Sequence, residues 1–380
     1  LRAAIVEPVG GHGGMDYYDF GLCEALSKAG IEATLYTCDE TSWRSRAFGV
    51  EIPYRGVFGA APAWLRGLRH LRGTVRALVG ARLKGARISH FHFFHVGPLE
   101  LFGVLLARSL GMRVVVTAHD VQPFVERLSV PWMAARAYRM AARVIAQGRT
   151  AEKELGALLD VPASRIDVVP HGSYLPFVGE APARGAARAR LGLPEEARVL
   201  LFFGQIKAVK GLDLLIRAMP RVLREHPDTV LLVAGKAWKD DLRRYRAQIE
   251  ALGIAESCVL HTRYIPDEDV AAYYAAADVV VLPYRRIYQS GVLLMAMSHG
   301  RPVVASDLPG MTEVVSDGVT GYLFAAGNAQ ALAARLAGVL GEDGELRRTA
   351  QRALRYVEEH HDWERIGAMT AACYRSALKG

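Results

Sequence analysis

The chain has 380 residues, is 51% hydrophobic, and carries 47 Lys and Arg against 39 Asp and Glu for a formal net charge of +8. Its length exceeds what one core usually serves and favours two α/β domains of roughly 200 residues or fewer. No apolar run approaches the roughly 18 residues of a membrane-spanning helix. Cys23, Cys38, Cys258 and Cys373 lack metal-ligand or CxxC spacing, which argues against a zinc site or disulfide framework. The N-terminus shows no signal-peptide pattern, and a cytoplasmic protein is expected.

In chain order, Ala3–Val6 reads as a strand and Met15–Ala29 as a helix closed by Gly30. Strands are then expected at 33–37, 88–93, 114–117, 144–146 and 166–169, with amphipathic helices between them. Around Glu180–Arg190 the sequence turns rich in Ala, Arg and Gly, as a connection between domains would. The pattern restarts with strands at 199–203, 230–234, 258–261, 279–282, 303–305 and 322–324, and ends in a helix over 363–378. Alternating strands and helices predict parallel, doubly wound sheets, with ligands beyond the carboxyl ends of the strands. The first domain is expected to span 1–172 and the second 173–362, with the last helix, within 363–380, packing back on the first.

Four segments concentrate chemistry at such strand ends. Gly10-Gly11-His12-Gly13-Gly14 follows the first strand and opens a helix, so backbone there approaches a phosphate or sugar closely. Its spacing fails GxGxxG, and although Asp39 sits where a ribose-binding acid would, a nicotinamide enzyme is disfavoured. His119 and Asp120 end another strand. Phe202–Gly211 places Lys207 and Lys210 directly before a helix. Gln289-Ser290-Gly291-Val292 opens a further apolar helix, and unpaired backbone N–H groups at such a terminus attract anions. Asp267-Glu268-Asp269 is the one literal Asp-x-Asp sequence. It follows Pro266 at a helix start, where acidic residues act as caps rather than metal ligands.

With Pro170-His171-Gly172 and Glu313-Val314-Val315 before Gly318 and Gly321, these segments together resemble family 4 glycosyltransferases over nearly the whole chain. The resemblance implies a GT-B fold, two Rossmann-like domains facing across a cleft, and retaining transfer from a nucleotide sugar. It places Gly13 and Gly14 over the donor, His119 beside the transferred sugar with Asp120 orienting it or meeting the acceptor, and backbone of Arg263, Tyr264 and Ile265 at the base. Lys210, Lys207 and amides near Ser290 and Gly291 meet the leaving diphosphate, without metal or other cofactor. Two positions depart from the family pattern. Gln205 replaces a usual Arg, a charge that Lys207 is expected to supply. Ile287 and Met295 occupy the places of paired glutamates, of which the second binds ribose. Loss of one such charged hydrogen bond is worth about 1.5–3 kcal/mol, so Gln289 and Ser290 are expected to compensate.

The first half holds most of the charge excess. No acidic residue occurs between Glu51 and Glu100, a window containing seven arginines and Lys84. From Trp64 to Leu83, Leu65, Leu68, Leu71, Val75, Leu78 and Val79 recur near helical spacing, with Gly67, Gly73 and Gly80 weakening the helix. Residues 64–87 therefore suit an anionic membrane surface at the inner face of the plasma membrane. No aromatic interleaving or recognised module points to nucleic acid. The expected activity is metal-independent transfer from a UDP- or GDP-sugar to a saccharide or lipid-linked saccharide, as in polysaccharide biosynthesis. The alternatives are an epimerase or phosphorylase of the same architecture, or a non-catalytic donor-binding scaffold.

Overall fold

The computed structural model describes residues 1–11, 14–41, 47–121, 130–238 and 240–379. They form two compact units, one of Leu1–Gly172 with His361–Gly380, the other of Ser173–His360. The first contains β1 (Arg2–Val6), α1 (Met15–Lys28), β2 (Glu32–Cys38), β3 (Gly49–Tyr54), α2 (Ala63–Leu83), β4 (Ile88–Phe93), α3 (Pro98–Ser109), β5 (Arg113–Ala118), α4 (Pro131–Met140), β6 (Arg143–Ala146), α5 (Arg149–Leu159) and β7 (Ile166–Val168). Its sheet runs β3-β2-β1-β4-β5-β6-β7, parallel throughout among the described residues. Fully apolar strands such as Val114–Val116 fit such a sheet, because helices cover both faces. Edge strand β3 was not foreseen from the sequence. Its partly exposed residues and Pro53 obscure the apolar run that marks a central strand.

In the second unit, α6 (Arg184–Arg190), β8 (Arg198–Phe203), α7 (Leu212–Glu225), β9 (Thr229–Ala234), α8 (Leu242–Ala251), β10 (Cys258–His261), α9 (Asp267–Ala276) and β11 (Val279–Leu282) are followed by α10 (Gly291–Ser298), β12 (Val303–Ser306), α11 (Pro309–Thr312), β13 (Tyr322–Phe324), α12 (Ala329–Leu340) and α13 (Asp343–His360). The sheet order is β10-β9-β8-β11-β12-β13. Phe202, Leu215, Met219, Val233, Val281 and Leu336 belong to its main core. The stretch expected to be a plain connection is instead anchored by α6. Arg188 is completely buried there and donates to Asp278 and the Ala276 carbonyl. A buried charge must be paired, so this Ala-Arg segment belongs to the body of the second unit.

The final helix, α14 (Trp363–Lys379), belongs to the first unit. A Cβ at Gly21 or Gly172 would stand 2.3 or 2.2 Å from the Trp363 indole, so both glycines make room for it. Helix α2 departs from the expected apolar stripe. Its buried face is Gly73, Thr74, Ala77, Leu78 and Ala81, and only Leu78 of the six expected apolar positions is buried. Gly73 is required there because a Cβ would meet the Tyr54 ring at 2.6 Å. Trp64, Leu68 and Leu83 are 71%, 57% and 83% exposed, and Arg72, Arg76 and Arg82 are exposed with them.

Candidate functional site

In both sheets the strand order reverses about the first strand, between β1 and β4 and between β8 and β11. That reversal opens a crevice beyond the carboxyl ends of the strands. The second unit fills its crevice with cationic and N–H donor groups. After β8 the chain turns at Gly204, with φ +97°, and a short helical turn over Ala208–Lys210 leads through Gly211 into α7. Helix α10 follows β11 from the other side, with Ser290 as its N-cap. The Ser290 hydroxyl accepts the Leu293 N–H at 3.1 Å, so the expected donor-binding serine also satisfies its own helix end.

These two arms meet over Gly204. The position a Cβ would take there lies 3.2 Å from both Lys210 Nζ and Val292 Cγ2. Lys210 also stands 5.2 Å above the Tyr284 ring. Although part of its side chain reaches solvent, the surrounding protein lowers its ammonium pKa, through desolvation, to about 8. Arg285 holds the turn by donating to the Ala208 carbonyl at 2.9 Å and to both Asp213 oxygens at 2.8 and 2.7 Å. Gln289 presents a buried amide oxygen with no hydrogen-bond partner among the described residues, and the buried Tyr284 hydroxyl lies beside Ser290. At Gly291 a Cβ would come within 2.5 Å of Tyr174 Oη, so α10 begins with glycine to admit that ring. Tyr174, Tyr284 and Trp238 were not singled out in the sequence, since aromatics in apolar runs read as core.

The remaining expected donor contacts occupy the same unit. Lys207 Nζ lies 4.4 Å over the Trp238 ring, and Gln205 is half-buried. Ile265 is buried, whereas Tyr264 and Arg263 are exposed, the latter donating to the Tyr264 carbonyl at 3.3 Å. Asp267-Glu268-Asp269 forms the first turn of α9, and Asp269 is ion-paired with Arg190 and Arg263. Ile287 and Met295 stay half-buried.

The first unit carries a cluster of rings. His119 donates its backbone N–H to the Phe93 carbonyl, stacks on Phe94 at 4.6 Å, and meets Tyr18 edge-on at 4.9 Å. It is only 3% exposed. Burial, with His92 and His171 nearby, depresses its pKa well below the ordinary histidine range and leaves a neutral ring. His119 is thus covered by aromatic neighbours, and Asp120 beside it is more exposed. His171 is also buried, its Nδ1 2.7 Å from the Gly172 carbonyl oxygen. Gly14 adopts φ +81° and caps α1, while Gly10 and Gly11 pack so tightly against Cys38, Thr41 and Glu40 that a Cβ would clash at 2.5 to 2.8 Å. His12 and Gly13 lie outside the described residues. Below the rings, burial raises the Glu7 carboxyl to about 8, helped by Asp19, and pushes Asp19 well above its usual range, while burial lowers His92 to about 4. No sequence signal short of a charged residue inside an apolar strand or helix face marked these three. Alongside them is a small hollow of about 60 Å³ lined by Pro8, Tyr54, His70, Phe94, His95 and Glu100 among others.

Comparison with known proteins bears on the family and the fold. Residues 13–172 match the model of a glycosyl transferase 4-like domain, and residues 197–342 that of glycosyl transferases group 1. A D-inositol 3-phosphate glycosyltransferase of Thermobispora bispora is 30% identical, over 97% of this chain and 91% of that protein. Its counterpart in Segniliparus rotundus is 27% identical over 98% and 86%. Among solved structures, a sucrose-phosphate synthase of Thermosynechococcus elongatus superposes with a TM-score of 0.80 at 21% identity, covering 100% of this chain and 99% of the other. HepE of Anabaena, solved with UDP, gives 0.78 at 19% identity over 98% and 99%. At these identities the structural likeness establishes the GT-B fold. The domain models and the sequence relatives add the family, and the chain is a member of the family 4 glycosyltransferases.

Proposed function

We propose that this glycosyltransferase takes a sugar from a UDP- or GDP-sugar held by the second unit and transfers it, with retention, to a saccharide or lipid-linked saccharide. The observation that carries this reading is the convergence of Lys210 and the N-terminus of α10 over Gly204. As the anomeric bond breaks, negative charge grows on the departing diphosphate. A fixed ammonium and unpaired helix amides stabilise that charge where it develops, so the reading needs no metal ion on the diphosphate. Lys207, Gln205 and Gln289 then bind donor oxygens, and Gln289 replaces part of what a ribose-binding glutamate at Met295 would supply. Backbone of Arg263, Tyr264 and Ile265 faces the base, Gly13 and Gly14 cover the donor, and His119 with Asp120 serves the sugar and acceptor. The acceptor oxygen attacks from the side on which the diphosphate leaves and gives its proton to that phosphate. The inositol phosphate in the relatives' names makes a phosphorylated polyol the first acceptor to try.

The Anabaena neighbour makes UDP the first nucleotide to test. Lys210 is charged below its pKa of about 8 and neutral above it, and a diphosphate binds the charged form more tightly. Calorimetric affinity for UDP is therefore expected to fall as pH rises through 8, by roughly 20-fold between about pH 7.5 and 9.5 if bound diphosphate restores the ordinary lysine pKa. Flat affinity over that range would remove Lys210 from the diphosphate site.

The exposed face of α2 supports peripheral attachment to an anionic membrane surface. Trp64 and Leu68 present apolar area to solvent beside Arg72 and Arg76, and each basic residue near such a surface contributes about 1 kcal/mol. No described helix is long and apolar enough to cross a membrane. Sedimentation with phosphatidylglycerol vesicles is expected to recover the wild-type chain, and to recover about tenfold less of a Trp64→Glu, Leu68→Glu variant. Equal recovery with neutral phosphatidylcholine vesicles would sink the electrostatic part.

A further inference from the structure

The carboxyl end of β1, the inner face of α1 and the last turns of β4 bring Glu7, Asp19 and His92 together, with all three side chains wholly buried. His92 Nδ1 stands 3.2 Å from Asp19 Oδ1 and 3.6 Å from Glu7 Oε2. Ligand atoms from the three residues all lie within 4.8 Å of one another. Yet Glu7 Oε2, both Asp19 oxygens and both His92 ring nitrogens make no hydrogen bond among the described residues. Leaving a single buried polar group unsatisfied costs about 1–3 kcal/mol, and more if it is charged, so such atoms rarely collect at one point without a further partner.

The chemistry of the three groups specifies that partner. Once deprotonated, as metal binding requires, two carboxylates and a neutral imidazole carry two negative charges, which one divalent cation neutralises. Oxygen and imidazole ligands together suit zinc-like ions better than magnesium or calcium, which prefer oxygen alone. An ion bonded tetrahedrally at about 2.0–2.1 Å holds its ligands about 3.4 Å apart, a value between the two separations from His92 Nδ1. The geometry points to a structural site for a divalent transition-metal ion, Zn2+ in preference, built from Glu7, Asp19 and His92. Glu7 Oε1 accepts the Val9 N–H at 2.7 Å, so the ion would fix the root of the glycine-rich loop while joining β1, α1 and β4. The site belongs to the first unit and carries no step of sugar transfer.

The test is to strip the full chain with a chelator, dialyse it against Zn2+, pass it through a desalting column and measure retained metal by mass spectrometry. Wild type is expected to retain roughly one equivalent, to gain several degrees in Tm over its stripped form, and to show the visible bands of tetrahedral Co2+ when cobalt replaces zinc. Asp19→Asn nearly preserves shape and is expected to retain less than about a tenth of an equivalent. Should it fail to fold by circular dichroism, Glu7→Gln serves in its place. Equal zinc in wild type and a folded variant would overturn the proposal, because the metal would then sit on other side chains. So would a folded wild type that retains none, with Asp19→Asn more stable near neutral pH, since the carboxyls would then be sharing a proton.

Discussion

Replacing Lys210 with methionine is expected to lower kcat/KM for the nucleotide sugar by about 10²–10³-fold, with most of the loss in kcat. Methionine keeps an unbranched apolar stem over the Tyr284 ring and removes only the ammonium. On the proposed reading, that charge is in the ground state one of several groups facing the diphosphate, with Lys207 and the α10 amides. At the transition state the diphosphate gains charge, and the partly desolvated ammonium gains interaction energy with it. UDP affinity should therefore fall much less than turnover. Steady-state rates and UDP calorimetry on the same preparation separate the two effects. A variant with unchanged kcat would show that the diphosphate leaves elsewhere, and UDP binding without turnover in wild type would favour the scaffold alternative.

Much of this arrangement was legible in the sequence because the physics is local. Val199–Phe203 and Val279–Leu282 are apolar on both faces, as strands beneath two helix layers must be, and a small-residue turn before an apolar run marks the helix start at Gly291 without knowledge of its surroundings. Where tertiary packing decided the outcome, sequence was a poor guide. Edge strand β3 keeps most of its residues half-exposed, so no periodicity announces it. Arg188 looks like a linker arginine until Asp278, far along the chain, is seen to pair with it. The outward face of α2 followed neither helical period nor hydropathy, because Tyr54 and the sheet determine which side is covered. Glu7, Asp19 and His92 lie on three different elements, and no spacing in the chain predicts their convergence. His119 was marked by its place at a strand end, but the rings that neutralise and cover it come from α1 and the ends of β4 and β7.

Gly211→Ala tests the turn that carries Lys210, and it is expected to cost about 3 kcal/mol of folding stability. Gly211 sits at φ +67° and ψ 28°, left-handed backbone that costs an alanine roughly 1–2 kcal/mol. The new methyl would also lie 1.9 Å from the Pro283 carbonyl oxygen, which belongs to the backbone and has no rotamer with which to yield. Relief requires the 208–211 turn to part from the end of β11, against the Arg285 bonds to Ala208 and Asp213 that tie these segments together. Lys210 is the adjacent residue and moves with the turn, away from Val292 and the start of α10. Urea unfolding should show a lower midpoint at unchanged m, and UDP affinity should weaken in the same variant even where it remains folded. Gly80→Ala is the control: nothing lies within 4 Å of its Cβ position and its backbone is helical, so alanine should stabilise the chain by up to about 1 kcal/mol. If Gly211→Ala unfolded at the wild-type midpoint and bound UDP as tightly, the close approach of the lysine turn to β11 would not be what sets the diphosphate site.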